Sequence, residues 1–336
     1  MDIIKQVVGV DVSKDTLAVC YGTADQQQNQ EITGPVIFTN NLSGFHELMS
    51  FAKKKRGQLK APFYFVMEAT GIYYENLAYF LNEKHQKVIV LLPNKAKNYS
   101  KTLSIKSKTD PLDARMLTQF GLERQMHLWS VPSPLMKAIK TLTREYQSKK
   151  ELAARIKNQL HAEEYSHKPL KESLKRNRAI LFFIEEQLTE IELQIKELVV
   201  QDDDLNDRIN KVDKIEGVGF MTIVSIISET NGFALIENGK QLASYAGLDV
   251  VYNESGIKKH KITISRKGNR HLRNAVYMPA LSACRYNPNL KALYSRIVAK
   301  KGIKKVALIA VSRKLLLLIY TIFTKNVEYV PGYKPA

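Results

Sequence analysis

Between residues 135 and 212 the apolar residues recur at intervals of three and four. They fall at Leu135, Ile139, Leu142, Tyr146, Ala153, Ile156 and Leu160, with Lys149 as one exception. A second run holds Leu181, Ile184, Leu188, Ile191, Ile195 and Leu198, and continues to Leu205, Ile209 and Val212. Side chains three and four apart share one face of an α-helix, so this spacing commits the segment to long amphipathic helices. Pro169 lies between the runs and places a turn there, which predicts an antiparallel helical hairpin or coiled coil. Heptads do not tell a partner in the same chain from one in another, so spacer and oligomerisation surface are both open. Val131-Pro-Ser-Pro marks the start of this insert. The expected organisation is therefore three segments, at residues 1–130, 131–212 and 213–336.

The first segment reads as α/β. Gln6-Val-Val-Gly-Val-Asp-Val is a β-branched run, Asp15 to Tyr21 its hairpin partner, and Pro35 to Asn40 a third strand. Leu42 to Lys55 reads as a helix, Phe63 to Met67 as a fourth strand, Tyr74 to Glu83 as a helix and Lys87 to Pro93 as a fifth strand. This pattern predicts a mixed sheet flanked by helices. Asp11 sits in the middle of the first strand, where an ionised carboxylate is costly unless it is paired or bound to a cation. Glu68 ends the fourth strand. Asp110 and Asp113 stand three apart in Lys108-Thr-Asp-Pro-Leu-Asp-Ala-Arg115, where Pro111 fits the first turn of a helix. Four carboxylates at one end of a sheet are the donors that hard Mg²⁺ ions take, with Mn²⁺ as a substitute, around a reacting phosphate. Taken singly, each acid also has a bland reading as a cap, a dipole partner or a surface residue.

The last segment is helical and basic. Lys and Arg total 51 against 33 Asp and Glu, a net charge of +18. Such a charge repels itself, and a polyanion relieves it by counterion release, which makes nucleic acid the expected partner. The cations are dense from Lys258 to Arg273, through Lys259, Lys261, Arg266, Lys267 and Arg270, and with Lys108 and Arg115 they are the expected nucleic-acid contacts. Ile215-Glu-Gly-Val-Gly-Phe resembles a helix-hairpin-helix turn, a weak motif alone. Ser255 precedes a glycine and a lysine cluster; Ser265 stands among Arg266, Lys267 and His271. Either hydroxyl is a candidate nucleophile toward phosphorus once deprotonated, and chemistry alone leaves both open. With only Cys20 and Cys284 there is no disulfide framework. The longest apolar run, Val306 to Phe323, is broken by Ser312, Arg313 and Lys314, and no membrane span or signal peptide is expected. A cytoplasmic, nucleoid-associated protein fits.

Gly9-Val-Asp-Val-Ser-Lys, Met67-Glu-Ala-Thr-Gly-Ile-Tyr and Lys108-Thr-Asp-Pro-Leu-Asp-Ala-Arg together resemble the DEDD-type transposases of the insertion-sequence "one-ten" family, relatives of the Piv-type DNA invertases. The C-terminal Ser255-Gly and Ile264-Ser-Arg-Lys-Gly-Asn segments resemble the same family's transposase domain, so the likeness spans nearly the whole chain. It implies a RuvC-like, ribonuclease-H-type fold for the first segment, with Asp11, Glu68, Asp110 and Asp113 as metal-binding acids. It implies a serine nucleophile, mapped to Ser255 with Ser265 in reserve, and a transient phosphoserine bond to DNA. It also implies guidance by a structured noncoding "bridge" RNA and assembly as a homo-oligomer, a dimer or tetramer. The competing reading is a metal-dependent RuvC-like nuclease or junction resolvase that acts through water; a non-catalytic DNA-binding protein is a third, which a buried Asp11 disfavours.

Overall fold

The computed structural model describes residues 2–69, 71–103, 110–234, 236–251, 254–255, 258–259 and 263–331; at residues 94, 111, 254, 255, 258 and 259 it describes the backbone alone. The chain divides into two compact units, Met1–Val131 and Pro132–Ala336.

In the first unit β1 (Ile3–Val12) pairs antiparallel with β2 (Thr16–Asp25), and β2 with β3 (Gln30–Thr39). After α1 (Leu42–Arg56) the chain enters β4 (Phe63–Glu68), parallel to β1. Helix α2 (Glu75–Glu83) leads to β5 (Lys87–Leu91), parallel to β4. The sheet order is β3-β2-β1-β4-β5. Alternate residues serve opposite faces. Val8, Val10, Phe65 and Met67 pack with Phe45 and Leu48 of α1 and Leu77 and Leu81 of α2. Val7, Val66, Ile89 and Leu91 pack with α3 (Pro93–Thr102) and α4 (Asp110–Glu123) through Ala96, Tyr99, Met116 and Leu117. Burial on both faces explains why β1 and β4 read as near-continuous apolar runs.

Helix α4 touches β1 backbone to backbone. A Cβ on Gly9 would stand 2.3 Å from Thr118 Oγ1, 2.5 Å from Thr118 N and 2.6 Å from Ala114 O. Glycine is what permits that approach. Further along the helix, a Cβ on Gly121 would meet Val7 Cγ1 at 2.7 Å and Val66 Cγ2 at 2.9 Å. Later residues of α4 thus lie over Val7 and earlier ones over Gly9. The helix runs against β1, and its first turn lies toward the strand's carboxyl end.

In the second unit α5 (Pro134–Glu164) and α6 (Lys171–Val200) pair antiparallel, tied by Arg178–Glu164 at 2.7 Å and Lys157–Glu185 at 2.8 Å. Ala153, Ile156, Leu160, Leu174 and Ile184 form a small core near the turn. The other half of the same heptad run has a different partner. Ile139, Ile191, Ile195 and Val199 enter a larger core built with α7 (Asp203–Asp213), α8 (Phe220–Glu229) and α9 (Gly239–Tyr245). Lys149, the exception in the repeat, donates to Gln187 Oε1 across the helix pair at 2.6 Å. Short strands follow: β6 (Val250–Val251), β7 (Glu254–Ser255), β8 (Lys258–Lys259) and β9 (Thr263–Ile264), with β6 paired to β9 and β7 to β8. Helices α10 (Arg270–Tyr286), α11 (Pro288–Lys301) and α12 (Lys304–Lys325) complete the unit. By length and composition α12 is apolar enough to cross a membrane, despite Arg313 and Lys314, and half of that stretch is buried in the core through residues such as Val311, Leu315 and Ile319.

One carboxylate ties three helices of this unit. Glu229, at the end of α8, is 4% exposed. Arg144 of α5 donates to it from Nε at 2.6 Å and from Nη2 at 3.1 Å, and Asn269 Nδ2 donates at 2.8 Å. Asn269 Oδ1 in turn accepts from the His271 and Leu272 amides and caps α10. Burial pushes the Glu229 pKa up, but the bonds from Arg144 and Asn269, with the Arg144 charge, outweigh it and hold the group below the ordinary carboxylate value.

Two outcomes are expected. Gly9→Ala should cost ~1–3 kcal/mol or more, because the new methyl meets backbone; Gly121→Ala should cost less, because Val7 and Val66 can move. Urea unfolding of the full chain measures both. Glu229→Ala should cost about 2–3 kcal/mol, since Arg144 is half exposed and keeps some hydration. A lowered folded pKa means that Glu229 stabilises above the unfolded carboxylate pKa of about 4.3 and that this is lost as pH falls through the folded value. The melting-temperature gap between wild type and Glu229→Gln should therefore shrink as pH is lowered from 7 toward 3.

Candidate functional site

Asp11 and Glu68 follow the last paired residues of two parallel neighbours, since Val10 stands in register with Met67. Both acids are half-buried at the carboxyl ends of their strands. Strand alternation puts Asp11 on the same face as Val7 and Gly9, and Glu68 on the face of Val66 and in register with Leu91. That is the face covered by α4. Across the antiparallel pair Asp11 stands opposite Ala18, and Ala18 packs with Cys20 and Ala114. Ala114 follows Asp113 directly. The first turn of α4, with Asp110 exposed and Asp113 half-buried, thus lies at the carboxyl end of β1 on the face that carries Asp11 and Glu68. At a helix N-terminus Asp110 and Asp113 also meet a favourable dipole. Arg115 is exposed on the same helix; its charge opposes the rise that burial imposes on the Cys20 pKa. Lys108 lies outside the described residues.

Carboxylate oxygens are what a hard divalent cation binds, and the fold brings four carboxylate-bearing positions to one end of one sheet face. The donor chemistry fits such an ion. Among the described residues, no three His, Cys, Asp or Glu side chains stand together closely enough to hold a metal.

The basic loop of the second unit is built around backbone contacts. The Ser265 amide donates to Asp249 O at 2.9 Å, the Arg266 amide to Gly247 O at 3.1 Å and the Asn269 amide to Tyr245 O at 2.7 Å. Gly268 is forced by this fit, since a Cβ there would meet Tyr245 O at 2.4 Å. Arg266 takes a left-handed φ of 52°. Arg266, Lys267 and Arg270 are exposed, as a phosphate contact requires. Arg273 is half-buried, and its Nη1 donates to Ala246 O at 2.8 Å and Gly268 O at 3.1 Å, so part of its guanidinium closes the loop. His271 Nδ1 lies 3.0 Å from Gln147 Oε1, and burial pushes the His271 pKa down despite the Glu229 charge.

The two candidate serines differ. Ser265 Oγ is in a short hydrogen bond with Asp249 Oδ1 and accepts from the Lys267 amide at 3.4 Å. Its hydroxyl is committed at both ends to the turn. Ser255 stands in register with Lys258 in the β7–β8 ladder, which also pairs Glu254 with Lys259. Lys261 lies outside the described residues. In the Ile215–Phe220 turn, Gly217 has φ 89° and is packed on α10, where a Cβ would meet Ala283 N at 2.6 Å. Gly219 caps α8 with open space around it.

Reading the sequence for exposed chemistry missed Glu229, Asn269 and Asp249. Glu229 carried the signal already used for Asp11, an acid at the end of an apolar run. Asn269 carried a capping signal just before α10.

Residues 8–163 match the model of the DEDD-type IS110 transposases, and residues 209–295 match that of the IS116/IS110/IS902 transposase family. The first region contains all four acids, and the second contains Ser255 and the basic loop. Over 336 residues the chain is 30% identical to the pilin gene-inverting protein of Moraxella lacunata, covering 96% of this chain and 97% of that one. The protein of the same name from Moraxella bovis is 29% identical over the same shares. The transposase for insertion sequence element IS1111A of Coxiella burnetii is 26% identical over 131 residues, 38% of this chain and 36% of that one. The resemblance read from the motifs is borne out: the chain belongs to the IS110 family of transposases and is a DNA-rearranging enzyme.

Proposed function

We propose that the chain cuts and rejoins DNA through Ser255, with Asp11, Glu68, Asp110 and Asp113 serving the same reaction. The observation that carries this reading is the seating of α4 on Gly9, which gathers the four acid-bearing positions at one end of the sheet. Three antiparallel strands followed by two parallel ones, with an acid inside the central strand, support a RuvC-like, ribonuclease-H-type reading of the first unit. The relatives' names describe inversion and transposition. Both outcomes need strands rejoined, and a covalent intermediate keeps the phosphodiester energy that hydrolysis would release.

In this reading the Ser255 hydroxyl loses its proton to a base and its Oγ attacks the scissile phosphorus. The bond from phosphorus to one sugar oxygen breaks, and that oxygen leaves as a hydroxyl once protonated. The strand is held as a phosphoserine diester. A sugar hydroxyl from a second strand then attacks the same phosphorus and returns the electron pair to Ser255 Oγ. A divalent ion, Mg²⁺ or Mn²⁺, held by the four acids would supply charge stabilisation at the phosphate. Arg266, Lys267 and Arg270 hold the backbone, as do Lys108, Arg115, Lys258, Lys259 and Lys261, while part of Arg273 keeps the loop closed. The double engagement of Ser265 with its own turn favours Ser255 as the nucleophile. Target choice by a structured bridge RNA and assembly as a homo-oligomer complete the reading.

Denaturing gels after incubation with guide RNA, labelled DNA and Mg²⁺ test it. Wild type should leave a protein–DNA adduct, Ser255→Ala and Asp11→Asn should leave none, and Ser265→Ala should retain it at reduced yield. Strand scission without an adduct, undiminished in Ser255→Ala, would replace the serine reading with hydrolysis by a nuclease.

A further inference from the structure

The excess positive charge of this protein is confined to one stretch. Between Ser255 and Val327 the sequence holds 17 Lys and Arg and no Asp or Glu. The rest of the chain holds the other 34 cations and all 33 acids, so it is nearly neutral. Seven of the 17 lie from Lys258 to Arg273, in and around the basic loop already described. A second concentration lies further along the chain, where α11 turns into α12.

The turn is tight. Gly302 takes φ 68°, its amide donates to Val298 O at 2.7 Å, and α12 begins two residues later. Lys300 and Lys301 at the end of α11 are therefore held beside Lys304 and Lys305 at the start of α12, and all four are exposed. Arg296 stands one helical turn before Lys300, also exposed, and Lys291 lies on the other margin of the same outer face. Between the two margins that face carries only the small residues Ala292, Ser295 and Ala299. None of the six cations takes part in an ion pair among the described residues.

Helix stabilisation accounts for Lys300 and Lys301 and fails for Lys304 and Lys305. Lys300 and Lys301 sit at a helix C-terminus, where cations are favourable. Lys304 and Lys305 occupy the first turn of α12, which has no acid and no side-chain cap. Cations there oppose the helix dipole, at ~0.3–1 kcal/mol each. Four exposed lysines within six residues also repel one another. A bound polyanion removes both costs.

We propose that the α11–α12 corner grips DNA backbone in addition to the basic loop. Its partner is the phosphate backbone of duplex DNA, gripped without regard to sequence. Lys and Arg here reach phosphates, and the small residues between them let the backbone come close. This assignment rests on the chain's membership of a DNA-rearranging family and is independent of which serine attacks.

The test is a salt titration of binding. Full-length protein is titrated against a labelled random-sequence duplex over 50–300 mM salt, followed by anisotropy. Each phosphate contact contributes about 0.9 to the slope of log K against log salt for duplex DNA. Lys304→Gln/Lys305→Gln should lower that slope by about 1–2 and weaken binding at least several-fold at the low-salt end. Its melting temperature should stay level or rise, because two dipole-opposed charges are gone. Lys304→Arg/Lys305→Arg, which keeps charge, should retain the wild-type slope. An unchanged slope in the Gln variant overturns the proposal. So does a slope that falls for a structured RNA hairpin while the duplex slope stays at the wild-type value, because the surface would then serve RNA. Adduct formation by Ser255, scored separately on a short pre-bound substrate, distinguishes failure of this surface from failure of the serine reading.

Discussion

Where Ala114 and Thr118 meet Gly9, a helix lies against a strand closely enough that the strand residue has no room for a Cβ. The position of the first turn of α4 on the sheet depends on that contact. With any larger residue at position 9 the helix would have to lift off or slide, and its first turn would leave the carboxyl end of β1. The sheet by itself sets only Asp11 and Glu68 side by side, because parallel neighbours end together. Asp110 and Asp113 come from a helix that follows β5 by a separate connection. Only its fixed seat on the sheet makes their position relative to Asp11 a property of the fold.

The second unit solves a related problem by a different device. Its basic loop has only two-residue ladders beside it. The loop is fixed instead by backbone hydrogen bonds to the end of α9 and by one buried carboxylate. Glu229 accepts from α5 and from the residue that caps α10, so the position of the loop is set by two helices distant in sequence. Concentrated positive charge favours an open, mobile loop. A buried, doubly bonded acid beneath it opposes that tendency, and the exposed cations keep their charge for a partner.

The parts of this architecture that rest on periodicity were legible in the sequence. Five strands follow from their β-branched and apolar runs, α1 and α2 from the segments between them, and α5 and α6 from the heptads; α3 was not read. Asp11 was legible because a carboxylate inside an apolar strand has few structural uses. What periodicity cannot carry is partnership. The heptad run predicts two long helices and says nothing of Ile139 and Ile195 entering a core with α8 and α12, since an apolar stripe fits any apolar surface. The third strand was read from Pro35, yet it begins at Gln30. Its first half, Gln30 to Gly34, holds a single apolar residue, Ile32, too few to show alternation. The two-residue ladders β6–β9 and β7–β8 are too short to show alternation at all. Nor could the closeness of α4 to β1 be read forward. Gly9 and Gly121 look like any strand or helix glycine until both are seen facing another backbone.

The distribution of charge joins these observations. A net charge of +18 spread evenly over the chain would describe a generic basic protein. Here the first 254 residues and the last nine balance to within one charge, and the excess lies in the acid-free stretch between them. That stretch folds because α12 supplies an apolar axis. Leu308, Val311, Leu315, Leu316, Ile319 and Phe323 are buried at ~1.5–3 kcal/mol each, and that burial outweighs the repulsion among the cations carried on the surrounding helices. An apolar, membrane-length helix and an acid-free basic surface are thus two sides of one construction. A strongly buried core allows the outer face to be more cationic than its own electrostatics would favour. The acids stand in the other unit, at the end of its sheet, in a part of the chain whose charge is nearly balanced. Segregation on this scale concentrates the attraction of a DNA-rearranging enzyme for a polyanion in one stretch of its chain.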